Sequence, residues 1–235
     1  TRAEFGLLRS TMRAVRAHDG LTLRVIAAGS HFLPPAETWR EVDAEFGIDA
    51  RVEMQRADEP RDRTHDALAL GRGVEGFARA LEQVGAHCAV VLGDRIEAFA
   101  AASAASVMGV LVAHVHGGDR AEGEADEAMR HAITKLAHLH FPATPLSAER
   151  IVRMGEPPER VRVVGSPAVD GLADIAPLPD DEYARLGSPT VLFCLHPVGR
   201  DDEEEARDAR AAIEGLTGER ALALMPNFDA GREGI

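Results

Sequence analysis

Apolar and polar positions along this chain fall into two repeating kinds of block. Short runs are continuously apolar, as in Ala89-Val90-Val91-Leu92. Longer stretches carry apolar residues three or four positions apart, the spacing of an amphipathic helix. The short runs predict strands at 21–28, 50–54, 87–92, 110–115, 139–143, 161–164, 190–195 and 221–225. The longer stretches predict helices near 4–17, 36–46, 65–84, 95–107, 125–137, 145–154 and 202–216. A strand with no alternation belongs to a parallel sheet covered on both faces. Regular alternation of such strands with helices predicts an α/β fold of the doubly wound kind.

The periodicity breaks at Gly165-Ser166-Pro167 and again at Pro177-Leu178-Pro179-Asp180-Asp181, and a new strand–helix–strand series starts at Thr190. This predicts a Rossmann-like domain over 1–168, a linker over 169–188, and the opening of a second, similar domain over 189–235. The chain starts at Thr1 almost directly in a helical pattern and stops at Ile235 just after a strand-like run, so it reads as a fragment. The acidic run Asp201-Asp202-Glu203-Glu204-Glu205 fits the first turn of a helix, where carboxylates complement the helix dipole.

Composition narrows the partners. The 235 residues are 45% hydrophobic but only 4% aromatic, so packing must rest on Ala, Val, Leu and Ile. A net charge of −13 argues against nucleic acid or an anionic membrane as partner, while local arginines leave an anionic small ligand open. No stretch has the length of a membrane-spanning helix, and no signal peptide is visible, so a cytoplasmic protein is expected. Cys88 and Cys194 each lie in an apolar run and read as buried free thiols in a reducing compartment.

The chemistry concentrates in residues 114–140. Five of the ten histidines and the only lysine, Lys135, fall there beside several carboxylates. Burying each such group costs free energy unless it is paired, so acid–base chemistry or ion binding is indicated. Ligands of open parallel sheets bind at the carboxyl ends of the strands. The polar residues there are Gly93-Asp94-Arg95, His116-Gly117-Gly118-Asp119, His196-Pro197 and Asn227-Phe228-Asp229, with Gly29-Ser30-His31 weaker. Asp94 is either a cap of the following helix or a functional carboxylate. Arg95 pairs with a phosphate or with Asp94. His114 and His116, two apart on a strand, share a face. With Asp119 they form either a metal signature, the basis of a metal-dependent hydrolase, or one core and one site histidine; spacing favours no metal. Asp126 opens the next helix, as a cap or a site group. On that helix Glu127, Arg130, His131 and Thr134 form one polar face, opposite Met129, Ile133 and Leu136. Of His138 and His140, one is expected to pack inward.

Several of these segments resemble the UDP-N-acetylglucosamine 2-epimerase family, specifically its hydrolysing branch. They are Thr1-Arg2-Ala3-Glu4-Phe5-Gly6, Val91-Leu92-Gly93-Asp94-Arg95-Ile96-Glu97-Ala98, the run from His131 to Phe141, Gly165-Ser166-Pro167-Ala168-Val169-Asp170, His196-Pro197-Val198 and Pro226-Asn227-Phe228-Asp229. The resemblance covers nearly the whole chain in family order. It implies a glycosyltransferase-B type fold of two Rossmann-like parallel-sheet domains, the second truncated here, with the active site between them. It further implies elimination of UDP from UDP-N-acetylglucosamine through a 2-acetamidoglucal, then water addition to give N-acetylmannosamine, as in sialic-acid-type synthesis. A close variant acts on a UDP-2,4-diacetamido-trideoxy sugar on the way to legionaminic acid. No cofactor is implied, and the expected assembly is a homo-oligomer, dimer or tetramer.

By the same resemblance Asp94 and Asp126 fall on acid/base carboxylates. His196 stabilises or protonates the departing diphosphate, and Arg2 lies in a nucleotide-contacting loop. Arg95, Asp119, Glu127, Arg130, His131 and Asn227 are expected to bind substrate. One departure stands out: the family commonly has glutamate where this chain has His116, so His116 or Asp119 must serve as base, or the substrate or activity differs. The remainder of the second domain, which supplies uridine and ribose contacts in the family, lies beyond this chain, so the chain as given is expected to bind UDP poorly.

Overall fold

The computed structural model describes residues 2–34, 37–60, 62–120, 125–226 and 231–235, with the side chains of Arg2, Ala3, Ala125 and Asp126 outside the description. The chain divides into two compact units, Thr1–Leu172 and Ala173–Ile235.

In the first unit the order is α1 (Arg2–Ala17), β1 (Ile26–Ala28), α2 (Trp39–Phe46), β2 (Ala50–Val52), α3 (Arg63–Val84), β3 (Cys88–Leu92), α4 (Ile96–Met108), β4 (Leu111–Val115), α5 (Ala125–Leu136), β5 (Leu139–Phe141) and α6 (Pro145–Arg153). All pairings are parallel, in one ladder β2–β1 and another β3–β4–β5. Local chemistry sets the helix ends. Asp62 accepts from His65 N at the start of α3, and Gly85 closes that helix at φ 63°. Thr144 caps α6 ahead of Pro145. Asp62, Gly85 and Thr144 are all residue types that favour satisfaction of orphan backbone groups at those positions.

The core is built from small side chains. Ala100, Ala102 and Ala105 of α4 are fully buried with Met54, Val112 and Ile133. The alanines let α3 approach closely: a Cβ on Gly73 would lie 2.9 Å from that of Ala100. An apolar cleft between β1 and β3, roofed by Phe5, Leu8 and Met12 of α1, separates the two ladders.

The second unit contains α7 (Asp180–Arg185), β6 (Val191–Cys194), α8 (Asp202–Glu214) and β7 (Ala221–Leu224), with β6 and β7 parallel. The acidic run does open a helix: Asp201 is the cap of α8 and accepts from Glu204 N at 2.9 Å.

Several expectations are corrected. Both cysteines are exposed. Cys88 starts β3 on a sheet face where Val90, Leu111 and Leu139 are also exposed, and Cys194 lies on the open face of β6, whose residues alternate in burial. An apolar run therefore did not mean cover on both faces. Residues 161–164 form no strand; they make one isolated bridge, Val161 to His140. The first strand is three residues long; just before it the Asp49 carboxylate takes the Val25 N–H at 2.7 Å while the Val25 carbonyl accepts from Asp49 N at 2.9 Å. The stretch after Gly165 holds short helical turns and α7. Among the described residues, no helix is long and apolar enough to cross a membrane.

Candidate active site

Parallel pairing brings two polar loops out side by side. β3 and β4 end in register, Leu92 opposite Val115, and the next amide, Gly93 N, still donates to Val115 O at 3.0 Å. Gly93 then turns at φ 74° and His116 at φ 62°. A positive φ is uncommon for a residue with a side chain and costs on the order of 1 kcal/mol or more. His116 is therefore held by its surroundings.

Asp94 does not cap α4. The capping position belongs to Arg95, whose side chain makes no cap bond and is half-buried. Asp94 instead forms an ion pair with Arg130, a residue of α5, and both side chains are largely buried. Burial pushes the Arg130 guanidinium below its ordinary value. Its Nε is buried without a hydrogen-bond partner among the described residues, as is Nδ1 of the adjacent His131.

The second loop carries a hydrogen-bonded chain. His116 Nδ1 lies 3.1 Å from Asp119 Oδ2, and Nε2 lies 2.9 Å from Ser166 Oγ. A carboxylate accepts only, so Nδ1 carries a proton, and in the neutral ring Nε2 accepts from the Ser166 hydroxyl. The other Asp119 oxygen accepts from Ser147 Oγ at 2.5 Å, and Ser147 is itself bonded to Thr144 Oγ1. Gly118 is the hinge of this loop. It sits at φ 79°, a Cβ there would lie 2.3 Å from the Ser147 carbonyl, and its own carbonyl accepts from Arg150 Nη1 at 3.1 Å.

His114 and His116, expected to share a face, do not act together. His114 is fully buried, with Nε2 2.8 Å from the Gly93 carbonyl and Nδ1 3.2 Å from Thr134 Oγ1. Burial drives its pKa down to about 4, so it is neutral near pH 7. His116 lies past the strand end, where alternation no longer applies. No group of three His, Cys, Asp or Glu side chains among the described residues is arranged to hold a metal ion.

On α5, Glu127 lies 3.9 Å from Arg120 and 3.7 Å from His131. The polar face expected there is not a solvated one: Thr134 is fully buried. Lys135 is drawn away from the site, paired with Glu156, which also lies 3.3 Å from the buried His140. His196 follows β6 in the second unit, exposed, with Nε2 3.6 Å from Cys194 Sγ. The side chains of Arg2 and Asp126, and Asn227 entirely, lie outside the described residues. The sequence reading missed Ser147 as a site residue, and took the Ser166 motif as a boundary and a segment of family resemblance without giving Ser166 a site role. A serine after glycine and before proline was the one available signal for Ser166.

The model of the family described as UDP-N-acetylglucosamine 2-epimerase matches residues 13–235. The chain is 32% identical, over 98% of its length, to a UDP-N,N'-diacetylbacillosamine 2-epimerase (hydrolyzing) of Legionella pneumophila. It is 30% identical, over its full length, to a UDP-N-acetylglucosamine 2-epimerase of Neisseria meningitidis. It spans 63% of the length of each of these two relatives. The fold matches the crystal structure of the UDP-GlcNAc 2-epimerase from Neisseria meningitidis bound to UDP-GlcNAc, at a TM-score of 0.77 and 18% identity, covering 100% of this chain and 66% of that one.

Proposed function

The chain belongs to the UDP-N-acetylglucosamine 2-epimerase family, and on that premise we propose that the protein is a hydrolysing UDP-sugar 2-epimerase. The observation that carries this reading is the side-by-side exit of Asp94 and His116 from paired strands, each with its own partner, Arg130 and Asp119. The reaction removes the proton at C2 of the sugar while UDP leaves C1, and water then adds to the resulting 2-acetamidoglucal. It needs a positioned base for C2 and a compensating charge for the departing diphosphate.

His116 is the base. Asp119 holds its Nδ1–H, so Nε2 presents a lone pair and the carboxylate stabilises the imidazolium formed on taking the proton. The Ser166 hydroxyl occupies that lone pair in this structure and gives way to substrate. Asp94 supplies the second carboxylate for water addition, as the family resemblance implies, with Asp126 as its companion. Arg130, beside Asp94, supplies the positive charge that compensates the anionic leaving group. His196 is assigned to protonation of the diphosphate on the resemblance alone.

The substrate is UDP-N-acetylglucosamine or its 2,4-diacetamido-trideoxy counterpart, and the names of the two relatives support one each. The test is incubation of the purified protein with each UDP-sugar. Release of UDP with the free 2-epimeric sugar from one of them is expected, and the better substrate decides the variant. Release of UDP from neither overturns the assignment.

A further inference from the structure

Two loops of the site are tied from beneath by one side chain that the reaction itself does not use. His114 lies on β4, fully buried, and its ring touches three segments. Nε2 donates to the Gly93 carbonyl at 2.8 Å, the residue before Asp94. Nδ1, unprotonated in that tautomer, accepts from Thr134 Oγ1 at 3.2 Å, and Thr134 stands one turn after Arg130 on α5, its single hydroxyl proton shared between Nδ1 and the Arg130 carbonyl at 3.0 Å. The ring also packs under the His116 loop: a Cβ on Gly117 would lie 2.8 Å from Nδ1. Both ring nitrogens are therefore committed to protein atoms and neither can meet a substrate.

We infer that His114, with Thr134, is a positioning residue that sets the loop carrying Asp94 against the helix turn carrying Arg130, and so fixes the acid–base geometry of the site. This rests on the epimerase reading above. A purely space-filling role would be met equally well by an apolar ring of similar size between the ladder neighbours of His114, Val91 on β3 and His140 on β5. What an apolar ring lacks is the bond to Gly93 and the acceptor for Thr134. Displacement of a catalytic group by about 1 Å is enough to cost on the order of 100-fold in rate.

The test compares His114→Phe, His114→Gln and Thr134→Val with the wild-type protein in steady-state UDP release and thermal unfolding. His114→Phe is expected to lower kcat about 10- to 100-fold with KM little changed, because the geometry of reacting groups and not substrate affinity is lost. His114→Gln, which restores an N–H toward Gly93, recovers most of that loss. Thr134→Val, nearly isosteric, lowers kcat in the same direction and covers the case in which His114→Phe does not fold. Unchanged kcat in a folded His114→Phe or in Thr134→Val overturns the inference. So does an equal loss in the Phe and Gln variants that merely follows their melting temperatures. A second readout needs no turnover, and so separates failure of this inference from failure of the epimerase reading. In histidine-labelled ¹⁵N NMR, His114 is expected as the Nε2–H tautomer at neutral pH, and an Nδ1–H tautomer contradicts the brace.

Discussion

At the scale of single residues, the site rests on two carboxylates whose roles come from their partners. Asp94 could be picked out in sequence because it is the first charged group after a fully apolar run. Its partner Arg130 lies a helix and a strand further on, so the pairing was not readable from spacing, and a capping role was equally compatible with the sequence. Asp94→Asn keeps the shape and removes the charge; it is expected to slow UDP release by about 10²- to 10⁴-fold, the usual range for loss of an acid–base group, and to lower the melting temperature because the largely buried Arg130 loses its counter-charge. His114 gives a pH prediction. Its folded pKa of about 4 lies below the ordinary 6.5. Between those values the unfolded chain binds a proton that the folded chain refuses. The stability contributed by the neutral ring is therefore fully present above about pH 6.5 and is lost as pH falls toward 4, by roughly 3 kcal/mol in full. His140, also lowered by burial, acts with the same sign. Urea unfolding at pH 7 and pH 4.5 checks this: the wild-type protein should lose more stability on acidification than His114→Gln.

At the scale of elements, helix positions were readable from three- and four-residue periodicity, and from the acidic first turn at Asp201; Asp62 and Thr144 prove to cap their helices as well. Strand lengths were less readable. The Asp49 side chain takes the Val25 N–H, and nothing in the apolar run 21–28 announces that. The loop after β4 was visible as two glycines flanked by His116 and Asp119, but its docking on α6 through Ser147 and Arg150 depends on tertiary contacts. Gly118 connects these levels. Gly118→Ala adds both left-handed strain and a clash with the Ser147 carbonyl, and is expected to cost about 2 kcal/mol or more and to reduce activity. Gly85→Ala has a similar φ with nothing near its Cβ, and should cost only about 1 kcal/mol, with activity kept. Thermal melts of the two variants separate strain from clash.

At the scale of the whole molecule, the alternating pattern correctly indicated parallel α/β units, because continuous apolar runs and intervening amphipathic helices leave few other packings. It overstated their cover, as exposed Val90, Leu111 and Leu192 show. The strongly negative chain places its local positive charge where the chemistry asks for it, at Arg130 beside Asp94. His116→Glu tests whether the histidine is the working base: it should keep UDP release but change the shape of the pH–rate profile, and an unaltered rate and profile would remove His116 from that role. The central claim, proton removal from C2 coupled to loss of UDP, is read most directly by running the reaction in D₂O. UDP-sugar turnover should give a free 2-epimeric sugar carrying one deuterium at C2, seen by mass spectrometry and ¹H NMR. A released sugar with no deuterium at C2 would contradict it.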